Sequence, residues 1–99
     1  NKIYVYNGTE PESNLPYSES YSPQAGMVSS PDVAAQIAEA VAVGIYGKKQ
    51  VFSERPYLIT THDNRWIIRG SLSQNMKGGV FEIIIQKKDG KIVYVNHGE

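Results

Sequence analysis

Apolar and polar positions change period along this chain, and the change divides it into a helix and a run of strands. Val33, Ile37, Val41 and Ile45 recur every fourth position with Ala34 and Ala38 beside them, while Asp32, Gln36 and Glu39 fall elsewhere on the wheel. Ser30 suits the N-cap, Pro31 the first helical position and Asp32 the positive end of the helix dipole. Gly47 supplies the positive φ usual just past a helix end, so a helix is predicted over about 31–46. The small side chains of Ala35, Ala40, Ala42 and Gly44 would let it lie close to a sheet. Residues 48–56 read as a polar connector in which Pro56 suits only a strand start or edge. From residue 57 the period shortens to two, and strands are predicted over 57–62, 65–72, 80–86 and 91–97. Asp63-Asn64 marks a tight turn, residues 73–79 a loop, and Asp89-Gly90 the turn of a closing hairpin around which the domain is organised.

Helix and then four strands with short loops make an α+β domain, an antiparallel meander in the order α-β-β-β-β with the helix across one face. Alternation places Tyr57, Ile59, Trp66, Ile68, Leu72, Phe81, Ile83, Ile85, Val93 and Val95 toward the helix. The other face receives Leu58, Thr60, His62, Ile67, Arg69, Ser71, Glu82, Ile84, Tyr94 and Asn96. Arg69 and Glu82 fall on neighbouring strands, where opposite charges pair across a ladder. Ile67, Ile84 and Tyr94 make this face more apolar than a solvated one requires.

The first 29 residues are of another kind. Residues 2–6 alternate as a short strand would and end at the turn dipeptide Asn7-Gly8. Residues 9–26 are Pro, Ser, Glu and Tyr with almost no aliphatic side chain, too little apolar surface to offset the entropy of ordering. The expected organisation is an irregular N-terminal arm over 1–29, with Tyr17 and Tyr21 its candidates for contact, and a domain over 30–99. Asn1 stands where a Met would begin a chain, which we read as upstream processing. A periplasmic or envelope location after leader removal is expected ahead of a cytoplasmic one.

Charge and composition narrow the functional classes. Ten basic and ten acidic residues cancel, so no long-range field draws in nucleic acid or an anionic membrane. The pairs Lys48-Lys49 and Lys87-Lys88 read as solvated loop residues. With no cysteine there is no disulfide, thiolate nucleophile or Cys-type zinc site. No apolar run reaches membrane-spanning length.

His62 and His97 lack metal-ligand spacing and an acidic partner at a metal-like interval, so no metal and no cofactor are expected. His62 reads as a solvated turn residue, His97 as a cap on the last strand and Trp66 as core. Gly78-Gly79 precedes a strand rather than a helix, which removes the phosphate-cradle geometry. No catalytic constellation emerges.

The residues do carry a family resemblance. VAAQIAEAVAVGIYG, then RPYLIT, then a lone Trp in NRWIIRGSL, then GGVFEIIIQKKDGKIVYVNHG resembles the NTF2-fold immunity proteins of bacterial polymorphic (Rhs-type) toxin systems. There a helix ending Tyr-Gly leads to Lys-Pro-aromatic, a Trp strand, Gly-Gly-Val and a lysine-rich hairpin closing on His-Gly. Arg55 stands where lysine is common, and residues 1–29 lie outside the resemblance. It implies a small NTF2- or cystatin-like fold and a non-catalytic function, neutralising a cognate protein toxin by binding.

Contact residues are expected on the open face at Ile67, Arg69, Glu82, Ile84 and Tyr94. The rim is expected at His62, Asp63 and Asn64, and at Gln74, Asn75, Met76 and Lys77. A weak homodimer through the sheet edge or open face is a further expectation. A PepSY-like inhibitory or regulatory module of the cell envelope and a small NTF2-like enzyme or ligand binder share enough of the layout to stay open.

Overall fold

The computed structural model describes residues 3–16, 20–72 and 78–98. Tyr17 and the expected rim residues Gln74, Asn75, Met76 and Lys77 lie outside the described residues. The elements are helix α1 (Pro31–Tyr46), a short helix α2 (Lys48–Phe52), and strands β1 (Leu58–His62), β2 (Arg65–Arg69), β3 (Phe81–Gln86) and β4 (Ile92–His97). The strands pair antiparallel in sequence order, as the alternation predicts.

Helix α1 begins where its capping residues place it, with the Ser30 hydroxyl accepting from the Val33 N–H at 3.3 Å. It ends at Gly47, whose φ of 91° excludes most side chains. The stripe that meets the sheet is shifted from the expected one toward the alanines at its side. Ala34, Ala38 and Ala42 are fully buried, Ile37 and Val41 are half-buried, and Val33 and Ile45 are exposed. The sheet face already carries Trp66, Ile68, Phe81, Ile83 and Ile85, so the helix fits closely only along its smallest side chains. The branched residues flank that line. Each fully buried Phe, Ile or Val here contributes roughly 1.5–3 kcal/mol relative to exposure.

The expected polar connector is in part helical. Within 48–56, α2 turns Val51 and then Glu54 inward, at 0% and 2% exposure. Phe52 lies under the Arg55 guanidinium, 3.8 Å from ring centroid to Cζ. Glu39, expected to face water, instead receives a forked pair of hydrogen bonds from Arg55 at 2.7 and 2.8 Å and one from the Tyr57 hydroxyl. A lysine at position 55 lacks that planar fork.

Two other expectations fail at strand ends. β2 stops at Arg69, and Leu72, expected in the core, is exposed. The chain leaves the ladder because Ser71 bonds instead to α2's end, donating its N–H to the Glu54 carbonyl at 2.7 Å. In β4 the register slips between Ile84 and Ile85, which pair with Tyr94 and Ile92. Val93 is thus the extra residue of a bulge and is exposed, while Ile92 takes its place against the core.

The hairpin turns also differ in kind. Asp63 and Asn64 hold positive φ of 48° and 61°, the two-residue turn matched to strand twist. The Asp89-Gly90 pair closes a longer loop in which Gln86 N–H bonds to the Lys91 carbonyl at 2.8 Å and Asp89 Oδ1 accepts from the Lys91 N–H.

Among the described residues the arm contains one 3₁₀ turn, Glu12–Asn14, and Ile3–Tyr6 takes no place in the sheet. Its end is docked. Met27 and Val28 N–H groups bond to the Lys88 and Lys87 carbonyls at 3.0 Å, and the Val28 side chain is 2% exposed. Trp66 is 8% exposed and donates its indole N–H to the Val28 carbonyl at 2.7 Å, with Lys87 Nζ 4.5 Å from its ring centroid.

Candidate functional site

Strand register lays the open face out in rows. Thr60, Ile67, Ile84 and Tyr94 stand opposite one another across the four strands, and Leu58, Arg69, Glu82 and Asn96 form the next row. Ile67 and Ile84 are half-buried, while Leu58 and Tyr94 are 61% and 42% exposed. Arg69 Nε and Nη2 both reach Glu82 Oε2 at 2.9 Å, so the cross-strand pair read from the alternation forms. His62, Asp63 and Asn64 are exposed at the β1–β2 turn, with His62 Nε2 3.3 Å from Asp63 Oδ2. The face thus brings an apolar row, an ion pair and a polar turn together on rigid strands.

The helix side of the sheet holds a cluster that the sequence reading missed. Glu54, buried at the end of α2, accepts at Oε1 from the Phe81 N–H at 2.9 Å. At Oε2 it accepts from Gln50 Nε2 at 2.8 Å and His97 Nε2 at 2.9 Å. Burial opposes ionisation of Glu54, but the donors Gln50, His97 and Phe81 N–H outweigh it and hold the carboxyl below its ordinary 4.5. His97 is drawn above its ordinary 6.5, chiefly by the Glu54 bond and against its own partial burial. Its ring also meets Tyr46, with centroids 5.0 Å apart. His97 is therefore an internal ion-pair partner rather than only a strand cap.

Space around this cluster explains the glycines. A Cβ on Gly70 would stand 2.2 Å from Glu54 Oε1, and one on Gly79 would stand 2.1 Å from the Gly98 carbonyl carbon. Tyr46, Glu54, Gly70, Gly79, His97 and Gly98 thus converge on one node from five parts of the chain. The sequence signal was the recurrence of Tyr-Gly, Gly-Gly and His-Gly, but nothing in it named Glu54 as the common partner. Among the described residues no buried side-chain nitrogen or oxygen lacks a hydrogen-bond partner, which fits the Glu54 node to a scaffolding role.

Among the described residues no three His, Cys, Asp or Glu side chains converge on a metal-sized site, and no helix is long and apolar enough to cross a membrane. A half-open cavity of about 620 Å³ lies between residues 22–27 and the turns at Asn64 and Lys87–Asp89. It shares Asn64 with the turn that rims the open face and shares no lining residue with the Glu54 node.

One main helix on a four-stranded antiparallel meander places the protein in the α+β class of small NTF2-like domains. The profile of the NTF2 fold immunity protein family matches residues 33–99, and the chain belongs to that family, whose members have a toxin-neutralising role. It is similar to the uncharacterized protein YhhH of Escherichia coli K12, 35% identical over 74 residues that cover 74% of this chain and 58% of that protein. It is also similar to the uncharacterized protein YbbC of the same strain, 36% identical over 73 residues covering 73% of this chain and 60% of that one. The chain thus spans less than two thirds of the length of either relative. No solved structure matches it.

Proposed function

We propose that this protein neutralises a cognate bacterial protein toxin by stoichiometric binding without catalysis, and that the open sheet face is the contact surface. The observation that carries this reading is the row Thr60–Ile67–Ile84–Tyr94 set beside the Arg69–Glu82 pair, on the face that α1 leaves uncovered. Tyr and Arg are the side chains enriched at interface hot spots, and rigid neighbouring strands present them at little entropic cost. The turn His62-Asp63-Asn64 would supply part of the rim. The buried polar node is fully paired within the fold, which favours a role in holding the strands over one in chemistry.

The test pairs this protein with candidate toxin domains taken from the genes that neighbour its own. Co-expression with the parent chain should restore growth, and calorimetry with an inactivated toxin domain should give one-to-one binding. Arg69→Ala and Tyr94→Ala, checked by circular dichroism to remain folded, should each weaken binding by about tenfold or more, the scale of a 1.4 kcal/mol hot spot. Parent-like affinity in both variants would remove the open face as the contact surface. Failure of the parent to bind or protect would remove the neutralising function itself.

A further inference from the structure

Two pieces of this chain are suited to strand pairing and have no strand partner among the described residues. The first is the outer edge of β1, which ends the strand order. Its sequence LITTH contains no Lys, Asp, Glu, Pro or Gly, and its register with β2 is unbroken from Leu58 to His62. Among the described residues no backbone hydrogen bond reaches that outer edge. The opposite edge differs, because β4 is bulged at Val93 and preceded by Lys91. Bulges and lysines are the usual protections against edge-to-edge pairing, so one edge is guarded and the other open.

The second piece is Ile3–Tyr6. Ile3, Tyr4, Val5 and Tyr6 are 98%, 69%, 88% and 82% exposed, and no hydrogen bond among the described residues involves them. β-Branched and aromatic residues in alternation are the strongest strand formers, yet here they lie in water. Gly8, at φ 81°, ends the segment, and Pro- and Ser-rich sequence separates it from the docked Gly26–Val28.

We propose that Ile3–Tyr6 of one copy adds as a fifth strand to the β1 edge of a second copy, and reciprocally, forming an arm-exchanged dimer. Within its own chain the segment stands clear of the sheet, so the second copy supplies its partner. Reciprocal exchange is closed by a two-fold axis and satisfies both open edges at once. A formal net charge of zero sets no long-range repulsion against it. The inference is independent of the toxin reading, since it uses the sheet edge and not the face.

The experiment is sedimentation equilibrium of the full chain over a concentration series into the high micromolar range. The parent should pass from 11.0 kDa to twice that mass. Full-length Val5→Pro, altered only in the exposed arm, should remain monomeric. Thr61→Lys, on the exposed edge strand and on the other side of the sheet from the Thr60–Ile67–Ile84–Tyr94 row, should raise the dimer dissociation constant at least about tenfold. Mixing the two variants should give a heterodimer weaker than the parent dimer but tighter than either variant alone, because one of its two exchanges, the edge variant's arm on the arm variant's edge, is intact. A parent that stays monomeric throughout overturns the proposal. So does Val5→Pro that dimerises like the parent, which would place the interface on the open face or between β1 edges directly.

Discussion

His97 Nε2 lies 2.9 Å from Glu54 Oε2 while its Nδ1 lies 2.8 Å from the Gly98 carbonyl oxygen. Both partners are acceptors, so the protonated ring, with an N–H on each nitrogen, satisfies both at once. The pair ties the last strand to the end of α2 across 43 residues of chain.

This linkage sets a pH optimum for stability. His97 is raised above 6.5, so its contribution is complete below that pH and is lost as pH rises through the raised value. Glu54 is held below 4.5, so its contribution is complete above that pH and is lost as pH falls through the lowered value. The melting temperature should therefore be highest at mildly acidic pH, between those two ordinary values. His97→Gln keeps a donor toward Glu54 but cannot titrate, and should flatten the alkaline limb. Thermal unfolding against pH checks this; an alkaline limb unchanged in His97→Gln would assign it to another group.

Glu54→Ala should cost about 3–5 kcal/mol, as breaking one side of a buried charge pair does. It leaves the Phe81 N–H, the Gln50 amide and the His97 ring without their acceptor. Urea unfolding of parent and variant measures the loss, and a change below about 1 kcal/mol, the size of an ordinary surface effect, would show the node to be dispensable.

Trp66→Ala should cost a similar 3–5 kcal/mol through the cavity it leaves and the hydrogen bond it loses to Val28. Removing residues 1–25 should leave the melting temperature close to that of the parent. Removing 1–29 should lower it sharply, because Val28 and its carbonyl go with the deletion. Equal stability of the two truncations would place the domain's start after Ser29.

Gly79→Ala should destabilise by about 1–3 kcal/mol, the range of overpacked sites, because the added methyl meets the Gly98 backbone rather than a movable side chain. Gly44→Ala is its control: nothing lies within 4 Å of that Cβ position, and alanine favours the helix by about 1 kcal/mol. Differential scanning calorimetry should shift the two melting temperatures in opposite directions.

Arg69→Ala should cost stability only about 0.2–1 kcal/mol, since the pair with Glu82 is partly exposed at 49% and 29%. A much larger loss would make the pair part of the fold's support and disqualify the variant as a probe of binding.

What the sequence determined was local. Ser30, Pro31 and Gly47 bound α1 because capping is decided within one turn of chain, and period-two alternation fixed which side of β2 and β3 each residue faces. Asp63-Asn64 likewise sets its own turn. Tertiary structure decided what depends on volume and on partners distant in sequence. It centred the contact on the alanine row, with Ile37 and Val41 packed beside it, because the bulk of Trp66 and Phe81 on the sheet leaves least room along the line of closest approach. It turned Val93 outward, because a bulge is a property of two paired strands and not of either alone. It also made Glu54 the centre of the node, since its acceptors are matched by donors from Gln50, Phe81 and His97, which the chain brings together only when the sheet closes against α2.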